Sequence, residues 1–200
     1  GEIFVVQARP ETVQSQRTGS TLQTYQLTEE GERLTTGLGI GRSVVTGTVR
    51  VLHSVNEADQ FEEGEILVTE MTDPDWGPLM EKAGGIVTDR GGRTSHAAIV
   101  SRELGIPAVI GTGDATETLT DGETVTLSCT EGNDGHVYAG ALDYETEEID
   151  LDALPDTDTR VMLNLASPSA ALDWWKLPVN GVGLARMEYV INNVIQVHPM

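Results

Sequence analysis

Thr88-Asp89-Arg90-Gly91-Gly92-Arg93-Thr94-Ser95-His96-Ala97-Ala98-Ile99-Val100 is the stretch that decides the fold. Ile86-Val87-Thr88 ahead of it is apolar and β-branched, which predicts a short buried strand. Gly91-Gly92 then allows a tight turn. Residues 95–104 follow as a helix, with Gly105 placed to close it and Pro107 just beyond. Val109-Ile110 supplies the next strand. Strand, turn, helix and strand in this order is the pattern of an α/β domain.

Upstream, Asp73-Pro74-Asp75-Trp76 predicts a second helix start, with Asp73 as N-cap and Pro74 at the first helical position. Trp76, Leu79, Met80 and Ala83 follow at the spacing of one apolar helix face, and Gly84-Gly85 ends it. Residues 44–52, 65–70, 123–128 and 136–142 read as further strands. Residues 1–13 begin with a short apolar strand stopped by Pro10. Residues 14–36 are rich in Gln, Ser and Thr without a usable period and read as a linker. Residues 143–158 carry eight acids and no base, which predicts a second, solvated linker rather than a packed element. Residues 159–200 change character again, with a strand expected at 161–165 and a helix start at 170–175. The expected organisation is a complete domain at 37–142 with a fragment of a neighbour on each side. The first residue is Gly1 rather than Met, consistent with a cut or processed chain.

His96 is the candidate for chemistry. It stands in the first turn of its helix, where backbone N–H groups without an intrahelical partner and the helix dipole attract anions. Imidazole is a competent nucleophile near neutral pH. A phosphoryl group on it would be stabilised by the helix end, with Arg93 or Arg90 at hand. Gly91 and Gly92 would let a phosphate donor come close to the backbone. From the residues alone, a His96 that merely caps or packs stays open, as does Thr94 as the helix N-cap.

Charge bounds the partners. Asp plus Glu total 32 against 12 Lys plus Arg, a net charge of −20, and only Lys82 and Lys176 are lysines. Such a surface repels nucleic acid and anionic membranes. Dense carboxylate with scarce lysine points to adaptation to high salt. No apolar run approaches the roughly 20 residues of a membrane span, and there is no basic-then-apolar leader. The single cysteine, Cys129, excludes a disulfide within the chain and reads as a small buried residue. A cytoplasmic location is expected.

Gly91-Gly92-Arg93-Thr94-Ser95-His96-Ala97-Ala98-Ile99-Val100, followed by Gly105-Ile106-Pro107-Ala108-Val109, resembles the phosphohistidine swivelling domain of phosphoenolpyruvate-utilising enzymes. The resemblance implies a β/β/α sandwich over residues 37–142 and makes His96 the phosphoryl carrier. Gln7-Ala8-Arg9-Pro10-Glu11-Thr12 resembles the closing strand of an ATP-grasp nucleotide-binding domain. Asn164 and residues 177–188, ending in Arg186-Met187-Glu188, resemble the opening of a phosphoenolpyruvate-binding (β/α)8 barrel. That order of domains is the order in the dikinases.

The resemblance further implies that Gln7 and Arg9 face nucleotide phosphates and metal, and that Arg186 binds the phosphate or carboxylate of a three-carbon substrate. Thr94 matches a regulatory phosphothreonine. ATP is the implied substrate and Mg²⁺ the implied cofactor, with its ligands mostly outside this chain and no complete metal site within it. The implied reaction converts ATP, pyruvate and water to AMP, phosphoenolpyruvate and phosphate. The linkers at 14–36 and 143–158 would be the hinges of a moving carrier, whose partners are the ATP-grasp and barrel domains of the same enzyme. The 200-residue chain by itself is expected to be inactive. A dikinase using phosphate in place of water, enzyme I of the sugar phosphotransferase system, and a stand-alone carrier or interaction module are the alternatives.

Overall fold

A computed structural model describes residues 21–153, 155, 157–165, 177–185 and 187. These fall into two compact units, one holding residues 23–147 and the other residues 21–22 and those from 148 onward. The strands are β1 (Thr21–Leu27), β2 (Arg33–Ile40), β3 (Val44–Val51), β4 (Ile66–Thr69), β5 (Gly85–Thr88), β6 (Ala108–Ile110), β7 (Thr124–Glu131), β8 (Asp134–Ala139), β9 (Tyr144–Asp150), β10 (Leu163–Leu165) and β11 (Val182–Ala185). The helices are α1 (Gly77–Met80), α2 (His96–Leu104) and α3 (Ala115–Thr118), with 3₁₀ turns at Val55–Gln60 and Pro74–Trp76.

In the first unit seven strands close on one another in the order β2-β6-β5-β4-β3-β7-β8, and β8 returns to pair with β2. β3, β4, β5 and β6 run parallel, while β2, β7 and β8 make antiparallel pairs. β4, β5 and β6 are short and buried at every position, because each is covered on both sides. Alternate side chains go to different cores. Val49, Ile66, Val68, Val87 and Val109 point inward and meet Val125, Leu127 and Val137 from the opposite wall. Leu67, Ile86, Ala108 and Ile110 point outward and meet Trp76, Leu79, Met80, Ala97 and Ala98 of the helices. The sequence of layers is therefore helices, parallel wall, opposite wall. Each fully buried aliphatic side chain contributes about 1.5–3 kcal/mol of apolar burial.

The apolar face of Trp76, Leu79, Met80 and Ala83 is buried as its spacing predicts. Its helix is shorter than expected: a 3₁₀ turn, Pro74–Trp76, precedes the four residues of α1. Asp73 caps it as anticipated, its carboxylate accepting from the Asp75 N–H.

The two stretches read as linkers both contain regular structure. Residues 21–27 form β1, and β2 already starts at Arg33, ahead of the expected boundary at 37. Residues 144–150 form β9, so the acidic stretch is not free of structure. β1 and β9 pair only with each other. They begin where the Thr28 N–H and hydroxyl both donate to the Asp143 carbonyl, at 3.0 Å, and Tyr25 and Tyr144 lie with ring centroids 6.2 Å apart. Most of their side chains are exposed, so neither strand shows the apolar alternation that marks a half-buried strand.

In the second unit β10 and β11 pair in parallel. The expected strand at 161–165 is seen as Leu163–Leu165. The expected strand in residues 1–13 and the helix start at 170–175 lie outside the described residues. Among the described residues no helix is long and apolar enough to cross a membrane.

Candidate active site around His96

The site grows out of the parallel register. β4 and β5 end together, Thr69 opposite Thr88. The chain beyond each strand stays paired for two more residues, since the Asp89 N–H donates to the Thr69 carbonyl (3.2 Å) and the Arg90 N–H to the Glu70 carbonyl (2.9 Å). Two loops, one leading to Thr72 and the other to His96, are thereby held side by side.

The second loop turns at Gly91, whose φ is +129°. A Cβ there would stand 2.8 Å from Ser95 Oγ and 2.9 Å from Ile110 Cγ2, so only glycine fits the turn. Gly92, by contrast, faces open space. Ser95, in extended conformation, is the N-cap of α2, its hydroxyl accepting from the Ala98 N–H at 3.4 Å. Thr94 is exposed and is not the cap, so the capping alternative for that residue is replaced by Ser95. His96 is the first helical residue, and α2 ends nine residues later at Gly105 in the left-handed region. Ala97, Ala98 and Ser101 face the core, which leaves His96 half-buried at the helix start.

Thr72 completes the arrangement. It is 5% exposed, and its Oγ1 lies 3.0 Å from His96 Nδ1. With the ring proton on Nδ1, that N–H donates to Thr72 and Nε2 carries the free lone pair. In that tautomer the hydroxyl orients the ring and leaves Nε2 unprotonated. Nothing in the local sequence around Thr72 signals this, because 24 residues separate the partners and only the β4–β5 register joins them.

The two arginines differ. Arg90 is paired with Glu70 at 2.9 Å, both well exposed, so its charge is already partnered. Arg93 is exposed, and its carbonyl accepts from the Arg102 guanidinium at 2.9 Å, so the Arg102 side chain ties α2 to the loop. Gln7, Arg9 and Arg186 lie outside the described residues. Among the described residues no group of three or more His, Cys, Asp or Glu stands together to hold a metal ion. Cys129 is buried, its thiol donates to the Ala108 carbonyl at 3.3 Å, and burial pushes it up to about 12, so it is no nucleophile near neutral pH.

A half-buried imidazole with one nitrogen against a hydroxyl, at the anion-attracting end of a helix and behind a glycine turn, has the chemistry to take up an anionic group. Residues 61–132, which contain this whole arrangement, match the family described as PEP-utilising enzyme, mobile domain. Along its full length the chain is similar to phosphoenolpyruvate synthases. It is 54% identical to that of Aquifex aeolicus (strain VF5) over 100% of this chain and 24% of the relative. The identity is 52% with that of Deinococcus radiodurans, over 99% of this chain and 25% of the relative, and 51% with that of Escherichia coli (strain K12), over 100% and 25%. The chain spans about a quarter of the length of these curated relatives.

Proposed function

We propose that this chain is the central, phosphoryl-carrying part of a phosphoenolpyruvate synthase, and that His96 is the carrier. The observation that supports this reading best is the Thr72–His96 contact at 3.0 Å at the start of α2, inside a chain about half identical to enzymes of that name. In the first half-reaction Nε2 attacks the β-phosphorus of ATP, the bond to the AMP oxygen breaks and AMP leaves, and water takes the γ-phosphoryl group as phosphate. The proton stays on Nδ1, donated to Thr72. In the second half-reaction pyruvate loses a methyl proton, its enolate oxygen takes the phosphoryl group and Nε2 regains its lone pair. The sum is ATP, pyruvate and water to AMP, phosphoenolpyruvate and phosphate. The α2 N-terminus, the Gly91-Gly92 turn and Arg93 support the charge on the phosphorylated ring. A covalent carrier lets two incompatible half-reactions use two separate sites.

The same reading assigns the domain expected at 37–142, which β2 extends back to Arg33, to the swivelling domain, 1–13 to the end of an ATP-grasp domain and 159–200 to the start of a (β/α)8 barrel. The residues between them join them as connectors. Gln7 and Arg9 would face the nucleotide, and Arg186 would grip the three-carbon substrate, as suits a guanidinium. Thr94, exposed two residues before His96, is accessible to a regulatory kinase. Mg²⁺ would be held by residues elsewhere in the longer enzyme, which is placed in the cytoplasm. The test is turnover. The full-length enzyme containing this chain should turn ATP over to AMP repeatedly only when pyruvate is supplied, with at most one AMP per His96 formed without it, and His96→Ala should abolish both while leaving the thermal melt intact. Normal turnover by the alanine variant would overturn the assignment.

A further inference from the structure

We infer that Asp89 is a positioning residue for His96, acting through the loop between them; this rests on the reading of His96 as phosphoryl carrier. Asp89 lies at the foot of the 89–95 loop, and its carboxylate points away from that loop, into the neighbouring one after β6. There it accepts from Thr112 Oγ1 (3.1 Å), from the Thr116 N–H (3.2 Å) and from the Thr116 hydroxyl. Its carbonyl accepts from the Gly113 N–H at 3.0 Å. The same seam continues at Thr88, whose carbonyl receives the N–H groups of Gly111 (2.8 Å) and Thr112 (3.1 Å). Gly111 packs so close that a Cβ on it would stand 2.8 Å from the Gly91 carbonyl oxygen. The far loop is itself anchored, with Asp114 accepting from Thr35 Oγ1 at 2.7 Å on β2.

The carboxylate therefore straps the foot of the glycine loop to the segment after β6 and to α3. An acid so near an anion-binding helix end would oppose a phosphoryl group if its charge were free. Three donors, two of them threonine hydroxyls, engage it instead. The loop beyond Asp89 is held mostly to itself and to other elements: the Arg90 N–H on the Glu70 carbonyl (2.9 Å) with the exposed Arg90–Glu70 ion pair, Thr88 Oγ1 on the Arg90 carbonyl (2.9 Å), the Ser95 N–H on the Gly92 carbonyl (3.0 Å), Arg102 on the Arg93 carbonyl (2.9 Å), and the weak Ser95 cap at 3.4 Å. Among the described residues only Asp89 ties it to the segment after β6 through a side chain. Releasing the strap lets Gly91 and Ser95 drift and carries the imidazole with them. A misplacement of about 1 Å lowers a transfer rate by as much as about 10²-fold.

The experiment uses the full-length enzyme and ³²P-labelled phosphoenolpyruvate, with the rate of label entry at His96 followed by rapid quench across phosphoenolpyruvate concentrations. Asp89→Ala should lower the maximal rate about 10- to 100-fold, with half-saturation shifted less than about threefold, since the donor binds elsewhere. Asp89→Asn keeps one acceptor oxygen and should recover to within about threefold of wild type. Thr116→Val preserves shape and the Thr116 N–H bond, and should still lose at least about threefold; it decides the question if the alanine variant fails to fold. A maximal rate in Asp89→Ala or Thr116→Val equal to wild type would overturn the strap while leaving the carrier role in place. So would an Asn variant no better than a folded Ala variant. Absence of label on His96 in the wild type would overturn both.

Discussion

Thr72→Val removes the hydroxyl that meets His96 Nδ1 and changes almost nothing else. Thr72 is 5% exposed, so valine fills the same space in a water-poor setting. Stability should hardly move: one hydrogen bond of about 0.5–1.5 kcal/mol is lost, and burial of one more methyl returns about 0.8 kcal/mol. The chemistry should move more. In the native protein the 3.0 Å contact holds the ring, and with the proton on Nδ1 it leaves Nε2 free. Without it the ring can turn and the proton can sit on either nitrogen. Loss of about 1–2 kcal/mol of ground-state organisation corresponds to a 5- to 30-fold slower phosphorylation, at about 1.36 kcal/mol per tenfold. Thr72→Ser keeps the hydroxyl and should stay within about threefold of wild type. Rapid-quench labelling of His96 in the full-length enzyme measures both variants. A valine variant that phosphorylates at the wild-type rate would show that the Thr72 hydroxyl plays no part in holding the nucleophile.

Ser101 is fully buried on α2, and its hydroxyl is a buried group with no hydrogen-bond partner among the described residues. Ser101→Ala should therefore stabilise the protein, by about 1 kcal/mol from relief of an unmade bond and a few tenths from helix propensity; a lower melting temperature for the alanine variant would contradict this. Glu65 is 7% exposed, and its carboxyl receives two bonds from Arg50, at 2.7 and 3.1 Å. Burial alone would raise its pKa, but the Arg50 hydrogen bond, the Glu62 N–H and the Arg50 charge together hold it below the usual carboxylate range. The stability it contributes is thus full above the pKa of an unfolded glutamate and is lost as pH falls through the lower folded value. Glu65→Gln should flatten that part of an acid-denaturation curve, and an unchanged curve would remove Glu65 from the cause. The net charge of −20 predicts a melting temperature that climbs from 0.01 M to 1 M KCl, as the screening length falls from about 30 Å to about 3 Å. A flat series would reject adaptation to high salt.

The helix that carries His96 was legible in the sequence because its signals are local. Glycines before it, apolar residues within it, and Gly105 with Pro107 after it set its ends to within a residue. The strands at 44–52 and 65–70 were legible because their apolar runs are bounded by turn residues. Thr72 was not, since its role depends on which strands pair and in which register, and that is decided by the whole barrel. The β1–β9 pair escaped for another reason. Its acids and amides carry the composition of a loop, and its strands are held by each other's backbones rather than by an apolar face. Arg90 looked available to a phosphate, yet the paired ends of β4 and β5 bring it to Glu70.

Phosphoryl carriage by His96 is tested most directly by locating the phosphorus. The full-length enzyme would be incubated with ATP in the absence of pyruvate, digested at alkaline pH, and the phosphopeptide sequenced by mass spectrometry with ³¹P resonance of the intact adduct. A single acid-labile, base-stable phosphoryl group on the peptide containing Ser95 and His96, bonded to Nε2 and discharged when pyruvate is added, is the predicted result. A phosphoryl group that maps to another residue, or one on His96 that pyruvate does not discharge, would contradict it.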